Sequence, residues 1–156
     1  MRVETCMQRK PVTVSPQDTL RGAWQVIRER RVRHLPVVEQ GRLVGIVTDR
    51  DLRQALPSRA VGLEIHEAPH LTEKIRIWEV MARAVVTISR EASIEEATRL
   101  LLKYRIGGLP VMKGETLVGI ITKTDLLRAF LGQSATSRQP TSRKKSLTPS
   151  RRSKTR

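Results

Sequence analysis

The sequence is poor in aromatic residues, in cysteine and in long apolar stretches. Aromatic residues make up only 3% of the 156 residues, so valine, isoleucine and leucine must fill any core. Cys6 is the only cysteine, which excludes an internal disulfide and a metal site built from cysteines alone. No apolar run approaches the roughly 18 residues of a transmembrane helix, and the N-terminus lacks the apolar stretch of a signal peptide. These absences predict a soluble cytoplasmic protein.

Positive charge is abundant, and it is concentrated at the C-terminus. The net charge is +15, and residues 133–156 contain eight Lys or Arg residues and no acidic residue. This segment has too few apolar residues to offset its ordering entropy by burial, so we expect a disordered basic tail. Subtracting its eight charges from +15 leaves +7 for residues 1–132. The tail could bind nucleic acid non-specifically, an anionic membrane or an acidic partner, or it could be solvated without a fixed role.

The first 132 residues contain an internal repeat. Shifting the sequence by 74 positions aligns residues 3–56 with 77–130 without a gap, with 18 identities in 54 positions. The segment "LVGIV" (Leu43–Val47) aligns with "LVGII" (Leu117–Ile121), and each is followed by Thr-x-x-Asp. Two copies are too few for a solenoid, so we expect a pair that packs with pseudo-twofold symmetry. The predicted organisation is repeat 1–56, linker 57–76 packing across the joint, repeat 77–132 and tail 133–156.

Each copy has the pattern of a strand, a helix, two strands and a closing helix. Two short apolar runs around a glycine-containing turn are typical of buried strands. The closing helix is expected to begin near Asp51 or Asp125. Apolar residues at the spacing of one helix face predict the buried side of the longer helices. These residues are Leu20, Ala23, Trp24 and Ile27 in the first copy and Ile94, Ala97, Leu101 and Tyr104 in the second.

The two Thr-x-x-Asp motifs have two interpretations. As helix caps, Thr48 and Thr122 would accept a hydrogen bond from a backbone N–H, and Asp51 and Asp125 would bond back to the start of the helix. As a ligand site, the helix N-terminus favours phosphate and the carboxylate could accept from both hydroxyls of a ribose. The presence of the same two residue types after the same strand in both copies favours a nucleotide over capping alone.

The repeated block "LPVV…G-x-LVGIVT-x-x-DL" resembles the CBS domain family, named for cystathionine β-synthase. The resemblance covers about residues 1–132. It implies an α+β fold of two β-α-β-β-α units with pseudo-twofold symmetry and two ligand clefts. It also implies dimerisation and an adenosine ligand (AMP, ADP, ATP or S-adenosylmethionine), with no required cofactor.

The resemblance further assigns ligand-binding roles to matching positions. Asp51 and Asp125 match the ribose-binding position, and Thr48 and Thr122 match the hydroxyl beside it. Val12, Thr13, Val86 and Thr87 match the segment that borders adenine. Arg33 and His34 match basic groups near phosphate, but the second copy has Gly107 and Gly108 there, so we expect unequal clefts. Arg50 and Lys123 could supply charge, or be solvated cations.

The sequence therefore predicts a regulatory module that senses an adenosine nucleotide, forms a homodimer and alters a separate protein. The alternative is a nucleic-acid-associated protein in which the repeats only dimerise two basic tails. No catalytic arrangement is legible, so we do not expect an enzyme. The spacing of His34, His66 and His70 resembles no zinc signature, so we do not expect a metal site.

Overall fold

The computed structural model describes residues 1–56 and 69–132, so the predicted tail and most of the predicted linker lie outside the described residues. The first repeat comprises α1 (Val3–Cys6), β1 (Gln8–Arg9), α2 (Leu20–Arg30), β2 (His34–Glu39), β3 (Arg42–Thr48) and α3 (Asp49–Gln54). A short helix, α4 (Pro69–Thr72), follows. The second repeat comprises α5 (Ile77–Val80), β4 (Ile88–Ser89), α6 (Ile94–Lys103), β5 (Gly108–Lys113), β6 (Thr116–Thr122) and α7 (Lys123–Phe130).

The predicted α+β class is confirmed, and the predicted order of strand, helix, two strands and closing helix is confirmed in the second repeat. In the second, β4 pairs in parallel with β5; in the first, the equivalent strand is reduced to one bridge between Val14 and Val37. The hairpins β2–β3 and β5–β6 are antiparallel, each with an irregularity at the same place. The closing helices begin at Asp49 and Lys123, two residues before the predicted Asp51 and Asp125.

The N-terminal segments of the two repeats are exchanged. β1 pairs with β6 of the second repeat, with Gln8 opposite Ile120. The equivalent residue of the second repeat, Ala82, forms a bridge with Ile46 on β3 of the first. Each hairpin therefore receives an edge segment from the other repeat.

The two hydrophobic cores follow the same exchange. One core is formed by α2, β2, β3 and α3 together with Ile77 from the second repeat. The other is formed by α6, β5 and β6 together with Val3, Cys6 and Met7 from the first. Burial of apolar surface thus joins the repeats, because neither core is complete within one copy.

The predicted helix faces are confirmed with one exception. All four predicted residues of α2 are buried, and so are Ala97 and Leu101 of α6. Ile94 is half-buried. Tyr104 is 47% exposed because it caps the C-terminus of α6 rather than lying within the helix, so its predicted burial was wrong.

The described part of the predicted linker, residues 69–76, contacts α2 of the first repeat. The Leu20 amide donates to the carbonyl of Ile75 at 2.9 Å, and the Ile77 amide donates to the carbonyl of Asp18 at 2.9 Å. Arg21 on α2 forms an ion pair with Glu73. Within residues 1–56 and 69–132, no helix has the length and apolar character needed to cross a bilayer.

Candidate functional site

The two Thr-x-x-Asp motifs both form capping boxes. We call Thr48 with Asp51 the first Thr–Asp pair and Thr122 with Asp125 the second. Asp51 Oδ2 accepts from the amide and from the hydroxyl of Thr48, both at 2.8 Å. Asp125 Oδ2 accepts from the amide and hydroxyl of Thr122 at 2.9 and 2.7 Å. The capping interpretation is therefore satisfied in both copies, and each threonine hydroxyl already donates its proton to its own aspartate.

The second carboxylate oxygen distinguishes the two pairs. A carboxylate offers about four lone-pair sites, so capping through Oδ2 leaves Oδ1 available. Within the described part of the chain, Asp51 Oδ1 has no hydrogen bond, and the residue is half-buried. Asp125 is 2% exposed, and Gln8 Nε2 donates to its Oδ1 at 3.1 Å and to its Oδ2 at 3.0 Å. The first carboxylate is thus partly open, whereas the amide of Gln8 covers the second.

A central cleft of about 380 Å³ lies between the repeats, next to the second Thr–Asp pair. It is lined from the first repeat by Gln8 and the residues that precede and begin β2, and from the second by the start of α7 and its neighbours. The lining residues are Gln8, Arg31, Val32, Arg33, His34, Gly107, Ile120, Thr122, Lys123 and Thr124. Packing therefore turns the basic residues of the first repeat toward the Thr–Asp pair of the second.

The cleft carries positive charge. Arg31, Arg33 and Lys123 line it, and no acidic residue among those that the structure describes does. The Lys123 amide donates to the carbonyl of Gly107 at 3.1 Å, but the Thr124 amide, in the first turn of α7, has no acceptor within its own helix. Cations beside a helix N-terminus form an environment suited to an anion.

The equivalent position in the first repeat differs. Lys123 aligns with Asp49, and Asp49 Oδ1 accepts from the Arg50 amide at 3.0 Å. The first repeat thus satisfies with its own carboxylate the amide that corresponds to that of Thr124. This makes the start of α3 less suited to a second anion.

His34 packs against the two glycines that replace the basic pair in the second repeat. A Cβ on Gly107 would lie 2.7 Å from His34 Nε2, and a Cβ on Gly108 would lie 3.2 Å from its Cδ2. Burial lowers the pKa of His34 below its usual 6.5, and the nearby Arg33 lowers it further. Asp49, Asp51 and Asp125 act in the opposite direction. The imidazole thus lies within electrostatic range of both Thr–Asp pairs.

The cleft contains only some of the predicted ligand-binding residues. Arg33, His34, Thr122 and Lys123 line it, and Asp125 lies behind Gln8. Seven other predicted residues do not line it: Val12, Thr13, Thr48, Arg50, Asp51, Val86 and Thr87. Val12 and Val86 pack against the two cores, and Thr13, Thr87 and Arg50 are exposed.

Six residues that line the cleft were not among the predicted ligand-binding residues: Gln8, Arg31, Val32, Gly107, Ile120 and Thr124. Arg31 could have been found, because it is one of the identities between the repeats and aligns with Arg105. Gln8 could not, because it aligns with Ala82 and its position depends on the exchange of N-terminal segments. Within the part of the chain that the structure describes, no group of three or more His, Cys, Asp or Glu residues could hold a metal ion.

The family comparison agrees with this architecture. The CBS domain family matches residues 3–58 and 77–132, and together these ranges cover most of the chain. The protein belongs to the CBS domain family and carries a tandem pair of CBS domains.

Two relatives and one solved structure illustrate the similarity. The CBS domain-containing protein YhcV of Bacillus subtilis is 35% identical over 124 residues, covering 80% of this chain and 81% of that protein. MJ1225 of Methanocaldococcus jannaschii is 33% identical over 138 residues, covering 83% of this chain, which spans only 49% of that relative. The crystal structure of the CBS domain pair of MJ0100, in complex with 5′-methylthioadenosine and S-adenosyl-L-methionine, has a TM-score of 0.70 at 28% identity. That match covers 85% of this chain and 97% of the other.

Proposed function

We propose that this protein is a regulatory module that binds an adenosine nucleotide in the central cleft and alters the activity of a separate protein. The observation that carries the proposal is the meeting of Arg31, Arg33 and Lys123 beside the second Thr–Asp pair, where no acidic residue of the described part of the chain lines the cleft. The adenosine ligands of the MJ0100 domain pair support the ligand class.

The charges favour a phosphorylated ligand in this cleft. The phosphate would lie near Lys123, Arg33 and the Thr124 amide, because charge-assisted hydrogen bonds to phosphate are the strongest available there. The ribose would lie toward Asp125, and the adenine would lie against the apolar side chains of Val32 and Ile120. Asp51 and Arg50 would serve a second, weaker cleft related by the pseudo-twofold axis, where Asp49 opposes a phosphate.

Exposed apolar side chains on the second repeat support the proposed homodimer. Leu102 on α6, Leu127 and Phe130 on α7, and the following Leu131 are each at least 66% exposed. Exposed apolar patches are typical of protein interfaces. Ligand binding between two repeats of a dimer would change the packing seen by a regulated partner, typically a coupling of about 1–3 kcal/mol.

Isothermal titration calorimetry with AMP, ATP, S-adenosylmethionine and adenosine tests the proposal. We expect AMP or ATP to bind more tightly than adenosine. Lys123→Met and Arg33→Met should each weaken the binding of AMP by about tenfold, because each removes a charge-assisted bond to phosphate. Neither should change the affinity for adenosine.

The matched control is Lys113→Met, which removes an exposed cation at the end of β5 that does not line the cleft. It should bind AMP like the wild type. Binding of every adenosine compound weaker than about 1 mM would refute the proposal. Equal losses of AMP affinity in the control and in the cleft variants would also refute it, because the effect would then come from net charge alone.

The composition of residues 133–156 supports a second candidate, in which the CBS pair dimerises two basic tails on nucleic acid. If all eight cations met phosphates on duplex DNA, log K would fall with a slope of about −7 against log salt. A mobility-shift assay can compare the full chain with a chain ending at Gly132. Equal DNA binding by the two proteins would remove the tail from this function.

A further inference from the structure

The two Thr–Asp pairs occupy equivalent positions with nearly the same backbone around them. Gly119 on β6 would place a Cβ 2.6 Å from Met7 Sδ and 2.9 Å from the carbonyl oxygen of Gln8. Gly45 on β3 would place one 2.6 Å from Met81 Sδ and 3.1 Å from the carbonyl oxygen of Ala82. The exchanged segments therefore cross the two hairpins in the same way, and Gln8 and Ala82 stand at matching places beside Asp125 and Asp51.

The side chain at this place is Gln8 in one repeat and Ala82 in the other. The burial and hydrogen bonding of the neighbouring aspartate differ with it. Gln8 donates from one nitrogen to both carboxylate oxygens of Asp125, which is 2% exposed. The methyl group of Ala82 cannot donate, and Asp51 remains half-buried with Oδ1 outside any hydrogen bond among the described residues.

We propose that Gln8 is a specificity-determining residue that competes with the ribose hydroxyls of a ligand for Asp125. A ribose diol binds a carboxylate through two hydroxyl donors, and the Gln8 amide already supplies donors to both oxygens. A ribose must displace this amide before it reaches Asp125, whereas at Asp51 no side chain among the described residues donates to Oδ1. The inference rests on the proposed function, because it assumes that an adenosine nucleotide binds at these pairs.

The competition also alters which part of a ligand the central cleft recognises. While Gln8 covers Asp125, the three cations and the Thr124 amide still face the cleft, so the phosphate contributes most of the binding. The central cleft then distinguishes poorly between a ribose and a deoxyribose. Removing the Gln8 side chain restores a carboxylate that makes this distinction.

The experiment uses variants that retain one Thr–Asp pair each and titrates them with AMP and with 2′-deoxy-AMP. In an Asp51→Ala protein, adding Gln8→Ala should tighten the binding of AMP by about tenfold, because a competing hydrogen bond to a charged group is lost. The affinity for 2′-deoxy-AMP should rise less. In an Asp125→Ala protein, adding Ala82→Gln should weaken AMP by a similar factor, because it installs the same competitor at Asp51.

Ala82 is exposed, so Ala82→Gln tests the inference even where Gln8→Ala unfolds the chain. Unchanged AMP affinity on addition of Ala82→Gln, or unchanged or weaker affinity on addition of Gln8→Ala, would overturn the inference while the proposed function stands. Weaker binding by Gln8→Ala would make Gln8 a ligand contact instead. Failure of the wild type and all variants to bind AMP would overturn the inference together with the proposed function.

Discussion

The imidazole of His34 occupies the space that a side chain on Gly107 would need. The two residues belong to different repeats, and a Cβ on Gly107 would lie 2.7 Å from His34 Nε2, closer than real Cβ contacts. The glycine pair of the second repeat is therefore a packing surface for His34 of the first. The difference between the repeats at these positions is a requirement of their contact as well as a difference between their clefts.

This contact predicts that Gly107→Ala destabilises the fold by about 1–3 kcal/mol, the usual cost of overpacking. The measurement is urea denaturation followed by circular dichroism. Gly108→Ala is a milder comparison, because its Cβ would lie 3.2 Å from the ring. Adding His34→Ala should remove most of the cost of Gly107→Ala. Additive effects in that double-mutant cycle would show that the clash is not with His34.

The exchanged N-terminal segments predict a larger penalty at the glycines of the two "LVGI" segments. Gly119→Ala would bring its Cβ within 2.9 Å of the Gln8 carbonyl, and Gly45→Ala would come within 3.1 Å of the Ala82 carbonyl. Both also meet a methionine sulfur at 2.6 Å. We expect each to cost about 2–3 kcal/mol, because a backbone carbonyl yields less easily than a flexible side chain.

Truncating the methionine side chain separates the clash with the sulfur from the clash with the backbone carbonyl. Met81→Ala should recover part of the stability lost in Gly45→Ala, and Met7→Ala should recover less in Gly119→Ala because the Gln8 carbonyl still obstructs. Thermal unfolding followed by calorimetry measures the stability that each double variant recovers. A stable Gly119→Ala protein would contradict the position of β1 against β6.

These glycines also show what the sequence could and could not predict. The alignment of Met7 with Met81 and of Gly45 with Gly119 is visible in the sequence. The methionine that approaches each glycine comes from the other repeat, and no local pattern indicates that. Periodicity and capping predicted helices, strands and the Thr–Asp pairs because those depend on neighbours in sequence. The central cleft depends on residues more than 100 positions apart, such as Gln8 and Asp125, so its membership was only partly predicted.

The different surroundings of Asp51 and Asp125 predict different costs of neutralising them. Asp51→Asn keeps one oxygen that can accept from the Thr48 amide and hydroxyl but removes the negative charge that strengthens both bonds, and about 1 kcal/mol is expected. Asp125→Asn should cost about 2–3 kcal/mol, because charge-assisted bonds from Gln8 are lost as well and the site is buried.

Denaturant titration of both variants at one pH and salt concentration measures the difference. Asp49→Asn is the control, because Asp49 is half-buried at the start of α3 but does not occupy the capping position. Equal costs for Asp51→Asn and Asp125→Asn would contradict the proposed importance of the Gln8 contact for the second aspartate.

The burial of His34 predicts a specific pH dependence of stability. Its folded-state pKa is lowered from 6.5, chiefly by desolvation, although Asp49, Asp51 and Asp125 partly oppose the shift. Below pH 6.5 the unfolded chain therefore binds a proton that the folded protein binds less readily. The contribution of His34 to stability is complete above pH 6.5 and is lost as the pH falls from 6.5 toward the folded-state pKa.

The test compares the unfolding free energies of the wild type and His34→Gln from about pH 8 to about pH 5.5. The stability of the wild type relative to the variant should fall over the acidic part of that range, because glutamine does not titrate and acidic residues common to both proteins cancel. A difference that stays constant would contradict the lowered pKa of His34, and one that grows in favour of the wild type on acidification would show that the carboxylates outweigh desolvation.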